Sequence, residues 1–257
     1  MNPDGPVVVI GATGIDVKGR AAEPLRLGTS VTGVVRSSLG GVARNVAENL
    51  ARLEVPTVLL SAVGQDHDGD YLLDHTAAAG VDTTRVLRLP DAHTGSYVSL
   101  LDQDGQRVYA IAEYDILSAI SPSYLQSHRR LIADASMLAI DANLSPRALG
   151  AIFRLAKRYG ADVRRIEAAW GEVFTAQQID QVLQARPAKL VAIVHAETST
   201  GALQPLDEIA EVVHRHGALL LVDADGEHQI GHGHKLALAR RLVAEIARRL
   251  PAVGAAR

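Results

Sequence analysis

Residues 136–167, SMLAIDANLSPRALGAIFRLAKRYGADVRRIE, spell out one complete strand–helix–strand unit. Ser136–Asp141 is a short apolar run that ends on a carboxylate, the length and texture of a buried strand. Ser145–Pro146 places a capping hydroxyl ahead of a proline at the first helical position. The helix runs to Tyr159, and Gly160 supplies the residue that stops it. Val163–Glu167 is the next strand. Two strands joined by a helix in this way run parallel, with a right-handed crossover.

The alternation continues on both sides. Downstream, the spacing predicts a helix at Ala176–Ala185, a strand at Lys189–Val194, a helix at Leu206–His216 and a strand at Ala218–Asp223. A last helix is expected at about Lys235–Leu250, with a solvated Arg-rich face. Upstream, Pro6–Gly11 (PVVVIG) is a buried strand and Gly41–Leu53 a helix, its apolar stripe formed by Val42, Val46, Leu50 and Leu53. Pro56–Val63 is strand-like and Asp68–Ala79 helical. Thr32–Arg36 is a weaker strand, and Ser96–Leu101 and Arg107–Ala112 flank Asp102–Gln103–Asp104–Gly105, a hairpin. The fold class is therefore α/β: a parallel-dominated, three-layer sheet with a small β flap built from 31–36 and 84–112. Residues 1–160 form the front half and 161–257 the continuation, expected to share one sheet.

Composition narrows the functions. The chain has 257 residues, no cysteine and a net charge of −3. Thiolate metal sites, disulfides and a Cys nucleophile are excluded. The charge provides no basic field for nucleic acid or an anionic membrane, so neither is an expected partner. The first residues carry no basic, apolar leader and no stretch reaches membrane-span length, so a cytoplasmic location is expected.

Three separated motifs point to one site. Gly11–Ala12–Thr13–Gly14–Ile15–Asp16 follows the first strand, Gly40–Gly41–Val42–Ala43–Arg44–Asn45 opens the first long helix, and Thr94–Gly95 begins the strand leading to Asp104–Gly105–Gln106–Arg107. A carboxylate such as Asp16 can accept from two hydroxyls, Asn45 can donate and accept, and Gly40–Gly41 let backbone approach a ligand. GATG could also open a dinucleotide loop, but Val17 stands where that loop needs glycine and no helix pattern follows.

With IDVKGR, GGVARNVAENLARL, LLSAVGQDHDGDYLLDHTAAAGVD and DANL, these motifs resemble the PfkB-type, ribokinase-like carbohydrate kinases, most of all their pseudouridine kinases, over about residues 6–160. The resemblance implies that Asp16, Gly40, Gly41 and Asn45 hold a small sugar or nucleoside under a flap that serves as a lid, and that a homodimer forms through the flap. It also implies ATP and Mg²⁺. Yet the family's Asn-x-x-Glu motif has no place here, since no Asn follows Asn143, and Gly-Ala-Gly-Asp is absent. No catalytic residue is assigned, and weak sugar binding without efficient phosphoryl transfer is expected.

Residues 155–224 resemble class V pyridoxal-phosphate aminotransferases of the alanine–glyoxylate or serine–pyruvate type, through His195–Leu206 and Leu219–Ala224. That likeness implies cofactor contacts from Thr198 and Asp223. The Schiff-base lysine has no counterpart, Lys235 being the only later lysine, so pyridoxal phosphate binding is not expected. Asp223, Asp225, Glu227, His228, His232 and His234 match no closed metal site, and no metal site is assigned. The chain reads as a hybrid of two incomplete families. The alternatives are an engineered or generated α/β scaffold with no ligand, and residual pyridoxal-phosphate chemistry.

Overall fold

The structure is a computed structural model that describes residues 2, 4–160, 166, 168–169, 171–188, 190–197 and 202–223. These fall into two compact units, one ending at Gly160 and one running from Ile166 to Asp223.

The first unit follows the chain order β1 (Val7–Ile10), β2 (Gly14–Ala21), β3 (Gly33–Gly40), α1 (Val42–Arg52), β4 (Thr57–Leu60), β5 (Ala62–Gly64) and α2 (His67–Ala78). It continues through β6 (Leu87–Leu89), β7 (Ser96–Leu101), β8 (Arg107–Glu113), a 3-10 turn at Asp115–Ala119, α3 (Pro122–Ser127), α4 (Arg129–Asp134), β9 (Met137–Ile140) and α5 (Pro146–Arg158). Strands β4, β1 and β9 pair in that order, all parallel. Every residue of β1 is buried, which explains why it is apolar without alternation. Its side chains divide by parity. Val8 and Ile10 join a core with Leu125 of α3, Ile132 of α4 and Ile152 and Leu155 of α5. Val7 and Val9 join Ala43, Ala47 and Leu50 of α1 and Leu72 of α2. A strand turns successive side chains to opposite faces, so helices must cover both, and the three layers follow.

The start signals read from the sequence operate as expected. Ser145 accepts from the backbone N–H of Ala148 at the head of α5, with Pro146 at the first helical position. Asp66, which the sequence did not single out, does the same for α2 through Gly69, so that helix starts at His67, a residue before its expected start.

The flap is a second sheet, ordered β3-β2-β7-β8. Its outer pairs are antiparallel and its central pair, β2 with β7, is parallel. Its composition corrects the expectation in three ways. Gly14–Ala21 is a central strand, although Ile15 and Val17 alternating with Asp16, Lys18 and Arg20 is the period-two pattern of a half-buried strand. The strand expected at Thr32–Arg36 is β3, which reaches Gly40. Of the segment 84–112, only the part from Ser96 belongs to the flap, because β6 pairs with β5. A strand after GATG, where a dinucleotide loop would need a helix, agrees with the rejection of that reading.

The second unit contains α6 (Ala176–Ala185), β10 (Leu190–Val194), β11 (Ala196–Glu197), β12 (Ala202–Leu203), α7 (Leu206–Arg215) and β13 (Leu219–Asp223). Strands β10 and β13 are parallel partners. Ile179 and Leu183 of α6 pack with Ile209, Val212 and Val213 of α7, against Ile193 of β10. A full capping box between Thr175 and Gln178 starts α6. The strand expected at Val163–Glu167, which a single sheet continuing past residue 160 would need, is not among the described residues, apart from Ile166 alone, and neither is the helix expected at Lys235–Leu250. Among the described residues, no helix is long and apolar enough to cross a membrane.

Candidate functional site

Parallel α/β sheets carry their ligand crevices at the carboxyl ends of the strands. In the first unit β1 ends at Ile10 and β9 at Ile140, and the next residues, Gly11 and Asp141, meet there. The Asp141 carboxylate accepts from the backbone N–H of Ala12 at 2.9 Å and from the Asn143 backbone N–H at 2.9 Å. Ser61, just past β4, donates to the Gly11 carbonyl at 2.6 Å. The chain leaving β1 is thus pinned from both neighbouring strands before it turns into β2.

That turn carries Asp16 into the flap, where it is paired with Ser38 of β3 and Tyr97 of β7. Gly40, the last residue of β3, lies directly against it. A Cβ at Gly40 would stand 2.4 Å from Asp16 Oδ1 and 2.6 Å from Cγ, so any other residue would displace the carboxylate. Gly41 has φ 89°, and a Cβ there would come within 2.5 Å of the Ala12 carbonyl oxygen. Both close approach and backbone conformation demand glycine there. Gly41 then leads into α1, and its carbonyl accepts from the Asn45 backbone N–H at 3.0 Å. The Arg44 N–H reaches the Ala12 carbonyl at 3.2 Å, tying the first turn of α1 to the β1–β2 turn. Asp16, Gly40, Gly41 and Asn45, named from separate stretches of sequence, therefore stand around one corner of the first unit. Asn45 is exposed on α1, and Asp16 is half-buried.

Burial raises the Asp16 carboxyl above the usual carboxylate range, and Lys18 and Arg44 oppose that rise. Three other groups at this corner were not singled out from the sequence. Tyr114 lays its ring against Gly14 and Gly95, and its phenol is pushed up to about 12 by burial and by the charges of Asp16 and Asp141. It is a neutral hydroxyl at physiological pH. Thr13 is fully buried, and among the described residues its Oγ1 has no hydrogen-bond partner. Arg44 is only 4% exposed. A cation in the first turn of a helix opposes the helix dipole, and that is the one sequence signal that marks Arg44. A ring next to two glycines marks Tyr114 only once β2 and β7 are seen side by side.

A groove of about 490 Å³ lies beside this corner, reaching Ser38, the β3 partner of Asp16. Ile15, Val17, Val35 and Tyr71 line it, together with Ser37 and His67. It does not include the four predicted residues and continues an exposed apolar face of the flap, on which Val35 and Ile111 are each 72% exposed.

In the second unit, Asp223 ends β13, with its backbone paired to Val194. Thr198, Lys235 and the His228, His232 and His234 group lie outside the described residues. Among the described residues, no cluster of three His, Asp or Glu side chains could hold a metal ion.

The pfkB family carbohydrate kinase profile matches residues 5–222. The chain belongs to the PfkB family of carbohydrate kinases. The match runs well past residue 160, the limit expected from the motifs. The chain is 37% identical to the pseudouridine kinase of Escherichia coli over 220 residues, covering 84% of this chain and 69% of that one. It is 36% identical to the sugar kinase YeiI of the same organism over 58% of this chain and 41% of that one. The PfkB fold is also that of Arabidopsis thaliana ribokinase solved with ribose and ATP, at TM-score 0.64 and 17% identity, covering 87% of this chain and 72% of that one. A shorter stretch is 44% identical to the (S)-ureidoglycine–glyoxylate transaminase of Bacillus subtilis, over 27% of this chain and 17% of that one.

Proposed function

We propose that this chain binds a small neutral sugar or nucleoside, of the kind a pseudouridine kinase takes, between Asp16, Asn45 and the Gly40–Gly41 backbone. The observation that carries this is the seating of the Asp16 carboxylate on Gly40, next to the helix turn that presents Asn45. A half-buried carboxylate accepts hydroxyl donors, and glycine backbone leaves room for the ring they belong to. Family membership and the 37% identity to a pseudouridine kinase favour a nucleoside or pentose over other polyols. Each hydrogen bond contributes only about 1 kcal/mol, so a few of them hold a sugar at about millimolar strength.

Phosphoryl transfer in this reading is slow or lost. ATP and Mg²⁺ belong to the family's chemistry, but no Asn follows Asn143 and no Gly-Ala-Gly-Asp occurs in the chain. No catalytic step is assigned to a residue. The transaminase likeness over 70 residues is compatible with a hybrid origin for the later part of the chain, which the carbohydrate kinase profile also matches, and assigns it no pyridoxal-phosphate chemistry. The exposed apolar face of the flap, with Val35, Val98, Leu100, Tyr109 and Ile111, suits a second copy of the chain and the proposal of a homodimer.

The test is an NMR titration of the full chain with pseudouridine and with ribose, alongside an assay for ATP-dependent pseudouridine 5′-phosphate. Saturable shifts at the Asp16 corner that vanish in Asp16→Ala, with no product formed, are expected. Shifts indifferent to Asp16→Ala would leave an inert scaffold as the better reading, and product lost in Asp16→Ala would restore a working kinase.

A further inference from the structure

Arg44 is the most deeply buried charged side chain at the site, and the sugar-site reading leaves it unused. Its Nε donates to the Gly40 carbonyl at 2.9 Å and one terminal nitrogen to the Leu39 carbonyl at 3.2 Å. The other terminal nitrogen pairs with Glu48, one turn on, which in turn accepts from Arg52 at 2.7 Å. The nitrogen facing Leu39 also donates to Asn45 Oδ1. The fork therefore grips the end of β3 beneath Asp16 and the side chain of the next helical residue at once. A lysine, a point charge on a flexible stem, cannot make these contacts together.

The contact with Asn45 has a chemical consequence. A guanidinium carries donors only, so the Asn45 atom facing it must be the oxygen. That oxygen is turned to Arg44, so the NH₂ is the group the amide turns away from the guanidinium, as a donor for a ligand. Asp16, when ionised, is acceptor-only. The corner then presents one acceptor and one donor in a fixed order. A ligand must donate to Asp16 and accept from Asn45, as two hydroxyls of one neutral sugar do. A phosphate there would satisfy Asn45 but face the Asp16 charge.

We propose that Arg44 is a positioning residue that fixes the Asn45 amide as a donor and holds the β3 end under Asp16, so setting the polarity of the sugar site. The inference rests on the sugar-site reading for its meaning, but its geometry can be tested without any ligand. The charged groups acting on Asp16 are Lys18 on its own strand and Arg44 on α1, and Asp16 in turn acts on the Tyr114 phenol.

The experiment compares Arg44→Lys and Arg44→Gln with the wild type by NMR, following the Asp16 carboxyl through a pH titration and the Asn45 side-chain amide. Arg44→Lys keeps the charge and loses the fork. The Asn45 amide should move while the Asp16 titration stays near its wild-type position. Arg44→Gln loses both, so the amide should move and the Asp16 titration should shift upward. Ribose affinity should fall about tenfold in either variant, the equivalent of one or two hydrogen bonds. An Asn45 amide unchanged in a folded Arg44→Lys protein overturns the proposal. Should Arg44→Gln fail to fold, the Arg44→Lys comparison alone decides. If ribose fails to bind the wild type while the unliganded signals change as expected, the sugar reading fails and the positioning role stands.

Discussion

The two units obey the same rules of strand and helix, and they differ in what their turns are asked to do. In the second unit β10 and β13 lie side by side, and α6 and α7 cover them with Ile179, Leu183, Ile209 and Val213. Its described polar contacts include the capping box at Thr175 and two that tie its helices and loops together, His216–Asp180 at 2.7 Å and the Phe174 N–H to Gln204 at 2.9 Å. In the first unit the chain leaves the parallel sheet after β1, enters a second sheet, and returns through Gly40–Gly41 into α1. That detour brings a carboxylate, an amide, a buried guanidinium and a phenol to one corner. The lesson is that a parallel α/β core needs only apolar periodicity, whereas a polar site needs the chain to cross between sheets at glycines that tolerate close approach.

The comparison breaks most readily in the cores. Ile152→Ala in α5 and Ile209→Ala in α7 each empty a fully buried position and should each destabilise by about 2–5 kcal/mol. Hydrogen exchange followed in both proteins sharpens the contrast. Each substitution should accelerate exchange first in its own unit, and equal acceleration everywhere would mean the units unfold together.

Gly40→Ala tests the crossing point. Its methyl group would meet the Asp16 carboxylate, so a loss of about 1–3 kcal/mol is expected in urea melts, together with loss of sugar-dependent shifts. An alanine accepted without effect would mean that Asp16 is free to move.

Thr13→Val asks whether the site stores strain. The Thr13 hydroxyl is buried and has no partner among the described residues, so its replacement should stabilise the unliganded protein by about 1 kcal/mol. A destabilised variant would reveal a bound partner for that hydroxyl.

Asp16→Asn gives a smaller effect with a diagnostic sign. The folded carboxyl binds its proton more tightly than the unfolded one, chiefly because it is buried. Its contribution to stability is therefore present at acid pH and is lost as pH rises through the folded value. Asp16→Asn should raise the melting temperature modestly at neutral pH and leave it unchanged at acid pH. The opposite sign would place Asp16 in a strong ion pair.

Asp180→Asn should change least. It weakens the part-buried contact with His216 in the second unit while leaving a polar group in place, and the shift in stability should stay below about 1 kcal/mol. A larger loss would make that unit's polar contacts as consequential as those around Asp16.

The sequence alone determined the parallel core. β1, β9, α5, α6, β10, α7 and β13 sit within a residue or two of their expected places, because burial on both faces and the 3.6-residue period leave a local imprint. It also picked out Asp16, Gly40, Gly41 and Asn45, since polar residues beside paired glycines at strand and helix ends are unusual enough to notice. It did not reveal that 14–21 is the centre of the flap, because a short alternating run does not name its partners and one of them, β7, lies far along the chain. Only the tertiary structure decided that Gly40 seats Asp16, that Arg44 clasps Asn45, and that Tyr114 stands beside both carboxylates. The first and last of those facts are distances between residues remote in sequence, and the second is a side-chain orientation on α1 fixed by where the Arg44 fork meets the end of β3, so a one-dimensional pattern carries no term for any of them.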